Sequence, residues 1–85
     1  MNSIFYAEAC IESKMIMLLS GYFSAVQGKV HVNSRLVEDL RADSVDVVEI
    51  VVMVEEEFSV ELSSVQVAAW RSVADVVSSV LEALE

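Results

Sequence analysis

Residues 43–58 read DSVDVVEIVVMVEEEF, and whether this run is a strand or a helix decides the fold. Its valines have strong strand propensity. Against that, Val47, Val51, Val54 and Phe58 follow i, i+4, i+7 and i+11, with Ile50 widening the stripe. Asp46, Glu49, Glu56 and Glu57 fall elsewhere on the wheel. The run also has a start signal. Asp43 can accept the hydrogen bonds of a helix N-terminus, with Asp46 three residues on as the reciprocal acid. A sustained 3.6-residue period with a cap outweighs valine propensity, so a helix is expected.

The segments on either side follow from the same rules. Ile4 to about Ser20 reads as a helix, with Ile11, Met15, Leu18 and Leu19 on one face. Residues 21–43 carry both glycines, Asn33 and Ser34, with isolated apolar residues at Val30, Val32, Leu36 and Leu40. That is a long connection, a length class often associated with function, and its apolar residues would pin it to a core. Ser63–Ala69 is expected to be a turn or a single helical turn. A last helix starts near Ser72, with Val73, Val76, Val77, Val80, Leu81 and Leu84 as its apolar face. The expected fold is all-α: a small four-helix bundle of three main helices and one short one around a single core.

Composition narrows the function. The 85 residues include no proline and only two glycines, which favours helices. They make one small domain, 1–85, short of core for its surface. Cys10 is the only cysteine, so no disulfide framework exists and a reducing compartment is expected. Glu8 and Glu12 beside it argue against a reactive thiol, and Cys10 reads as a buried or half-buried apolar residue. The hydrophobic fraction is 55%, above the usual range of about 45–50%, and the surplus suits a pocket or an interface. A net charge of -9 disfavours nucleic acid and anionic membranes. Nine acids lie between Glu38 and Glu61, with Arg41 the only base among them. The simpler reading is a solvated face; the sharper one is a docking surface for basic partners. MIMLLSGYFSAV follows Glu8 and Glu12 rather than a basic n-region, is cut short by Gly21 and Lys29, and is too short to span a bilayer. A soluble cytoplasmic monomer is expected.

Few residues here can do chemistry unaided. With one histidine, His31, and one cysteine, no nitrogen–sulfur metal site can be built. The acids lack the spacing of a calcium loop. No metal ligands and no catalytic residues are assigned. Ser44 has no base beside it, and the flanking aspartates would oppose a developing oxyanion. At a helix start it either helps cap the helix or is itself a substrate, where the helix dipole tolerates a phosphate.

The run LVEDLRADSVDVVEIVVMVEEEFSVEL, with its D-S pair at the start of the second helix and EEEF at the end, resembles acyl carrier proteins. Ile11, Leu18, Leu19 and the VEDL of Val37–Leu40 fall in place upstream. Leu62, Trp70, Val73 and Val77 do so downstream, so residues 11–82 form the family-like core and 1–10 an N-terminal extension. The resemblance implies a carrier and no enzyme. Ser44 would receive a covalent 4′-phosphopantetheine arm from coenzyme A, attached by a magnesium-dependent phosphopantetheinyl transferase. The arm's thiol would hold acyl intermediates as thioesters, in fatty-acid, polyketide or related specialised biosynthesis. The helical bundle would shelter the acyl chain. Asp43, Asp46, Glu49, Glu55 and Glu56 would dock on basic patches of the transferase and of acyl-transfer or synthase enzymes, with Val45 as an apolar contact.

Four departures point to a specialised carrier. Arg41 stands where glycine is usual, and Val45 replaces leucine. SSVQVAAW lacks acids, and ten residues, IFY among them, precede Ile11. The alternatives are an unmodified carrier-like module that docks through its acidic helix and, behind it, a small hydrolase using Ser44.

Overall fold

Spacing by fours puts Ile11, Met15, Leu19 and Phe23 on one buried face of the chain's first helix. In the computed structural model, which describes residues 3–23 and 30–85, with 3–7 by backbone alone, that helix is α1, Ser3–Tyr22. Then come α2, Ser44–Phe58; α3, Ser64–Ala68; and α4, Val73–Leu84. The expected all-α bundle of three main helices and one short one is the observed architecture. α1 packs mainly on α4 and more lightly on α2. Ile50 and Val54 of α2 and Val73, Val76, Val77 and Val80 of α4 complete the core. Each such side chain, once fully buried, contributes roughly 1.5–3 kcal/mol of transfer free energy. Among the described residues no helix is long and apolar enough to cross a membrane.

The α1–α2 connection is held by its own apolar residues, as its spacing implied. Val30, Leu36, Leu40 and Ala42 are buried in the core. The connection also completes α4. The N–H groups of Val73 and Ala74, which have no partner inside their own helix, donate to the carbonyls of Ser34 and Val32 at 2.9 and 2.8 Å. In return Leu36 N–H donates to Arg71 O at 2.9 Å. Buried Ser34 accepts the N–H of His31 on its hydroxyl at 2.8 Å. His31 itself is exposed.

Short-range caps set the other boundaries. Ser63 and Gln66 form a reciprocal box at the start of α3, and Gln66 Nε2 donates to Glu82 Oε1 at 2.9 Å, tying α3 to α4. Trp70 Nε1–H donates to Ser79 Oγ at 2.8 Å, satisfying an indole at the α3–α4 turn. At the end of α2, Ser59 takes the left-handed conformation (φ 55) that closes many helices.

Three expectations change. Cys10 is exposed, because it sits on the side of α1 turned away from the Ile11–Met15–Leu19 face. Leu84 is also exposed, since it lies in the last turn of α4, past the reach of the core. On α2 the fully buried positions are Ile50 and Val54, while Val47, Val51 and Phe58 are half-buried; the stripe is centred toward Ile50, which joins the core cluster with residues of α1 and α4. The helix backbone runs through Ile4–Tyr6, and contacts of those side chains lie outside the described residues.

Among the described residues, one long-range polar contact joins α1 to α2. The Tyr22 hydroxyl donates to Asp46 Oδ1 at 2.8 Å. That hydrogen bond, then desolvation and the charges of Asp46, Glu49 and Asp43, push the Tyr22 phenol up to about 12. Asp46 is held below the ordinary carboxylate range, first by the backbone N–H of Asp43 and then by Tyr22.

Two outcomes follow. Arg41 has φ 61, a conformation that costs a side-chain-bearing residue roughly 1–2 kcal/mol. Part of this is offset by the greater unfolded-state entropy of glycine. Arg41→Gly should therefore raise stability by up to about 1 kcal/mol in urea titration, and an unchanged or lower midpoint would refute the strain. The raised Tyr22 pKa means that the bond with Asp46 contributes stability in full below the unfolded phenol's value of 10.0 and loses it as pH rises toward about 12. The stability gap between wild type and Tyr22→Phe should close over that alkaline window. It should also narrow in acid, as pH falls through the depressed carboxylate range of Asp46.

Candidate functional site

The first turn of α2 is organised by two aspartates. Asp43, with extended backbone at φ -107 and ψ -173, is the N-cap. Its Oδ1 accepts the N–H of Asp46 at 3.0 Å, and Asp46 Oδ2 accepts the N–H of Asp43 at 3.0 Å. The Asp43 carbonyl accepts the N–H of Val47 at 3.0 Å. This is the capping box that the D-x-x-D spacing implied. Because Asp43 does the capping, Ser44 does not. Ser44 is the first residue inside the helix and is exposed. The reading of Ser44 as a cap residue is thereby replaced, since a side chain inside the first turn points outward from the helix start.

The Ser44 hydroxyl is left out of the cap. It stands at the positive end of a fifteen-residue helix, where a negatively charged substituent is favoured by typically 0.3–1 kcal/mol at an exposed site. A serine here offers one O–H. The described residues bring no group of three metal-ligating side chains together.

The carboxylates expected to act together divide into two kinds. Asp43, Ser44, Val45 and Asp46 share the first turn, Glu49 follows one turn later, and Glu55 and Glu56 lie in the last turns. At about 1.5 Å per residue, the acids extend along almost the whole helix. Asp43 and Asp46 are engaged in the cap. Glu55 is half-buried, and its Oε2 accepts the N–H of Leu62 at 2.9 Å, fixing the path from α2 to α3. Glu49, Glu56 and Glu57 are exposed. The last turn has no basic residue, so Glu55, Glu56 and Glu57 oppose the helix dipole at its negative end.

Between the acids runs an apolar stripe. Val45, Val48 and Val52 are 67%, 62% and 45% exposed. The sequence reading named Val45 and missed Val48 and Val52. Their signal was present as a second i, i+3, i+7 series interleaved with the buried one. Composition alone does not say which series faces the core. Arg41, also exposed, stands three residues before Ser44. An apolar groove of about 400 Å³ lies between α1 and the far end of α2, lined by Lys14, Met17, Leu18 and Glu57.

Comparison with known proteins gives this geometry its context. The sequence profile described as "Phosphopantetheine attachment site" matches residues 13–80. An acyl carrier protein of Akkermansia muciniphila is 37% identical over 68 residues, covering 80% of this chain and 85% of the relative. One from Buchnera aphidicola is 40% identical over 53 residues, covering 62% of this chain and 68% of the relative. The crystal structure of an acyl carrier protein from Thermotoga maritima superposes with a TM-score of 0.74, covering 91% of this chain and 89% of that one at 22% identity, a likeness of fold. Such proteins carry their cargo and do not themselves catalyse its reactions. The chain belongs to the acyl carrier proteins, the family whose phosphopantetheine-binding domain bears a covalent 4′-phosphopantetheine arm.

Proposed function

We propose that Ser44 is the residue that takes the arm, and that α2 is the surface by which partner enzymes find it. The observation that carries this reading is the division of labour in the first turn: Asp43 caps, and Ser44 is left exposed beside it. In the transfer, the bond between Ser44 Oγ and the phosphorus of the phosphopantetheine half forms as the pyrophosphate bond of coenzyme A breaks, and adenosine 3′,5′-bisphosphate leaves. The proton of Oγ goes to a base on the transferase, which also supplies the magnesium site. Once the arm is attached, its terminal thiol holds an acyl group as a thioester.

The docking face combines Val45, Val48 and Val52 with the charges flanking them. Glu49 and Glu56 are free to meet basic residues of a partner. Asp43, Asp46 and Glu55 lie on the same helix but hold internal hydrogen bonds. Acids gathered at the negative end of a helix cost stability, and their presence here fits a surface kept for encounter rather than for folding. Pairing of this kind sets association rate and orientation, and salt weakens it. Partners are therefore the phosphopantetheinyl transferase and acyl-transfer or synthase enzymes with basic patches. A lone exposed Cys10 suits a reducing cytoplasm.

A specialised pathway fits better than housekeeping fatty-acid synthesis. Arg41 places a positive charge beside the docking face in a conformation that favours glycine. Val45 presents a shorter apolar contact than leucine. α3, Ser64–Ala68, carries no acid and leaves Val65 exposed. These features alter the surface a partner reads, and selection among partners is a difference in fit and charge.

Incubation with coenzyme A, magnesium and a broad-specificity phosphopantetheinyl transferase should add one arm, seen by intact mass, and Ser44→Ala should abolish the addition. An unmodified wild type, under conditions that load a control carrier, would instead favour a module that acts by docking alone. Glu49→Lys should lower kcat/KM for loading by a few-fold to about tenfold at low salt, with an unchanged melting temperature. Equal rates for the variant and wild type, or the same loss at high salt, would mean that Glu49 is only a solvated charge.

A further inference from the structure

Among the described residues, the Tyr22–Asp46 contact is the one long-range side-chain hydrogen bond that reaches the first turn of α2. It spans 24 positions of sequence and is partly buried. Each oxygen of Asp46 is occupied: Oδ1 by the Tyr22 hydroxyl at 2.8 Å, Oδ2 by the N–H of Asp43 at 3.0 Å. Asp43 in turn holds the N–H of Asp46 and is the residue directly before Ser44. Three hydrogen bonds therefore lead from the end of α1 to the backbone that presents the serine.

Tyr22 is itself held in place. Its ring meets Phe23 edge-on, with centroids 4.9 Å apart and planes at 85°. Phe23 is buried in the core, and its N–H donates to Leu19 O at 2.8 Å. The rigid end of the chain is thus the α1–core side, and the half-exposed Asp46 is the group being positioned.

We propose that Tyr22 is a positioning residue for Ser44, binding Asp46 so that this carboxylate works as an internal strut rather than as a docking charge. The proposal rests on the reading of Ser44 as the attachment residue. It assigns Asp46 a role different from that of its exposed neighbour Glu49, although both are acids on the same helix. A strut of this kind acts on the orientation of the attacking hydroxyl, where small misplacements are costly, and leaves encounter to the free acids.

The test compares wild type, Tyr22→Phe, Asp46→Asn and the double variant. Two readouts are used: loading kinetics with coenzyme A and transferase, and amide hydrogen exchange of the unmodified protein. Tyr22→Phe should lower kcat for loading about 3- to 10-fold, the range expected for loss of the net contribution of one ordinary hydrogen bond. KM should be nearly unchanged, and so should the salt dependence of kcat/KM. Asp46→Asn should do the same, and the double variant should be no worse than either single one, because both changes break one linkage. In the unmodified protein, Tyr22→Phe should speed exchange at the N–H of Asp46 and Val47 several-fold while the amides of α4 stay protected.

If Asp46 instead meets the partner directly, Asp46→Asn will raise KM and flatten the salt dependence while Tyr22→Phe behaves as wild type. That result, or unchanged exchange in Tyr22→Phe, overturns the proposal. Slow loading accompanied by faster exchange throughout α4 also overturns it, since the effect would then be general loosening. Absence of an arm on wild type counts against the attachment reading alone, because the exchange experiment judges the strut separately.

Discussion

The hydrogen bonds that Asp43 and Asp46 exchange, each 3.0 Å, fix where α2 begins, and the character of the site depends on that one boundary. If the cap moved to Ser44, the hydroxyl would be spent on backbone N–H groups and drawn into the helix end. With the cap on Asp43, Ser44 falls at the first helical position, exposed and at the positive end of the dipole. The aspartates that would have spoiled a catalytic serine are what leave the Ser44 hydroxyl out of the cap and exposed.

α2 serves two purposes that compete. Its inner face, centred on Ile50 and Val54, supplies part of the core of a domain with little core to spare. Its outer face keeps Val45, Val48 and Val52 exposed and ends in three consecutive glutamates against the dipole. Stability is recovered elsewhere by backbone economy. The α1–α2 connection satisfies the first N–H groups of α4, and Glu55 closes the turn into α3 through Leu62. One acid of the EEEF run has thereby become a structural group while its neighbours remain free.

Much of the fold was legible because its rules act over a few residues. The period of Val47–Phe58 outweighed the strand propensity of valine. The reciprocal spacing of Asp43 and Asp46 located the helix start. The single turn expected at Ser63–Ala69 and the last helix expected from near Ser72 are α3 and α4. Isolated Leu36 and Leu40 indicated a connection pinned to the core, and both are buried. The errors fell where exposure depends on distant packing. Cys10 and Leu84 are apolar enough for a core, yet nothing covers their side of the bundle. Val48 and Val52 match the buried valines in type and period and differ only in which way the helix is turned.

By itself the sequence determined the helices, their caps, the acidic second helix and the serine at its start, because each is set by propensity, period or hydrogen bonds within one turn. Only the tertiary structure decided what each acid does. Asp46 and Glu49 carry the same charge on the same helix, but the end of α1 brings a tyrosine hydroxyl to one and leaves the other to solvent. Glu55 and Glu56 are adjacent, but the chain's return brings the N–H of Leu62 to the first alone. A carboxylate's chemistry is written in its residue type; whether it becomes strut, clasp or free charge depends on which donors the packed helices place within about 3 Å of it.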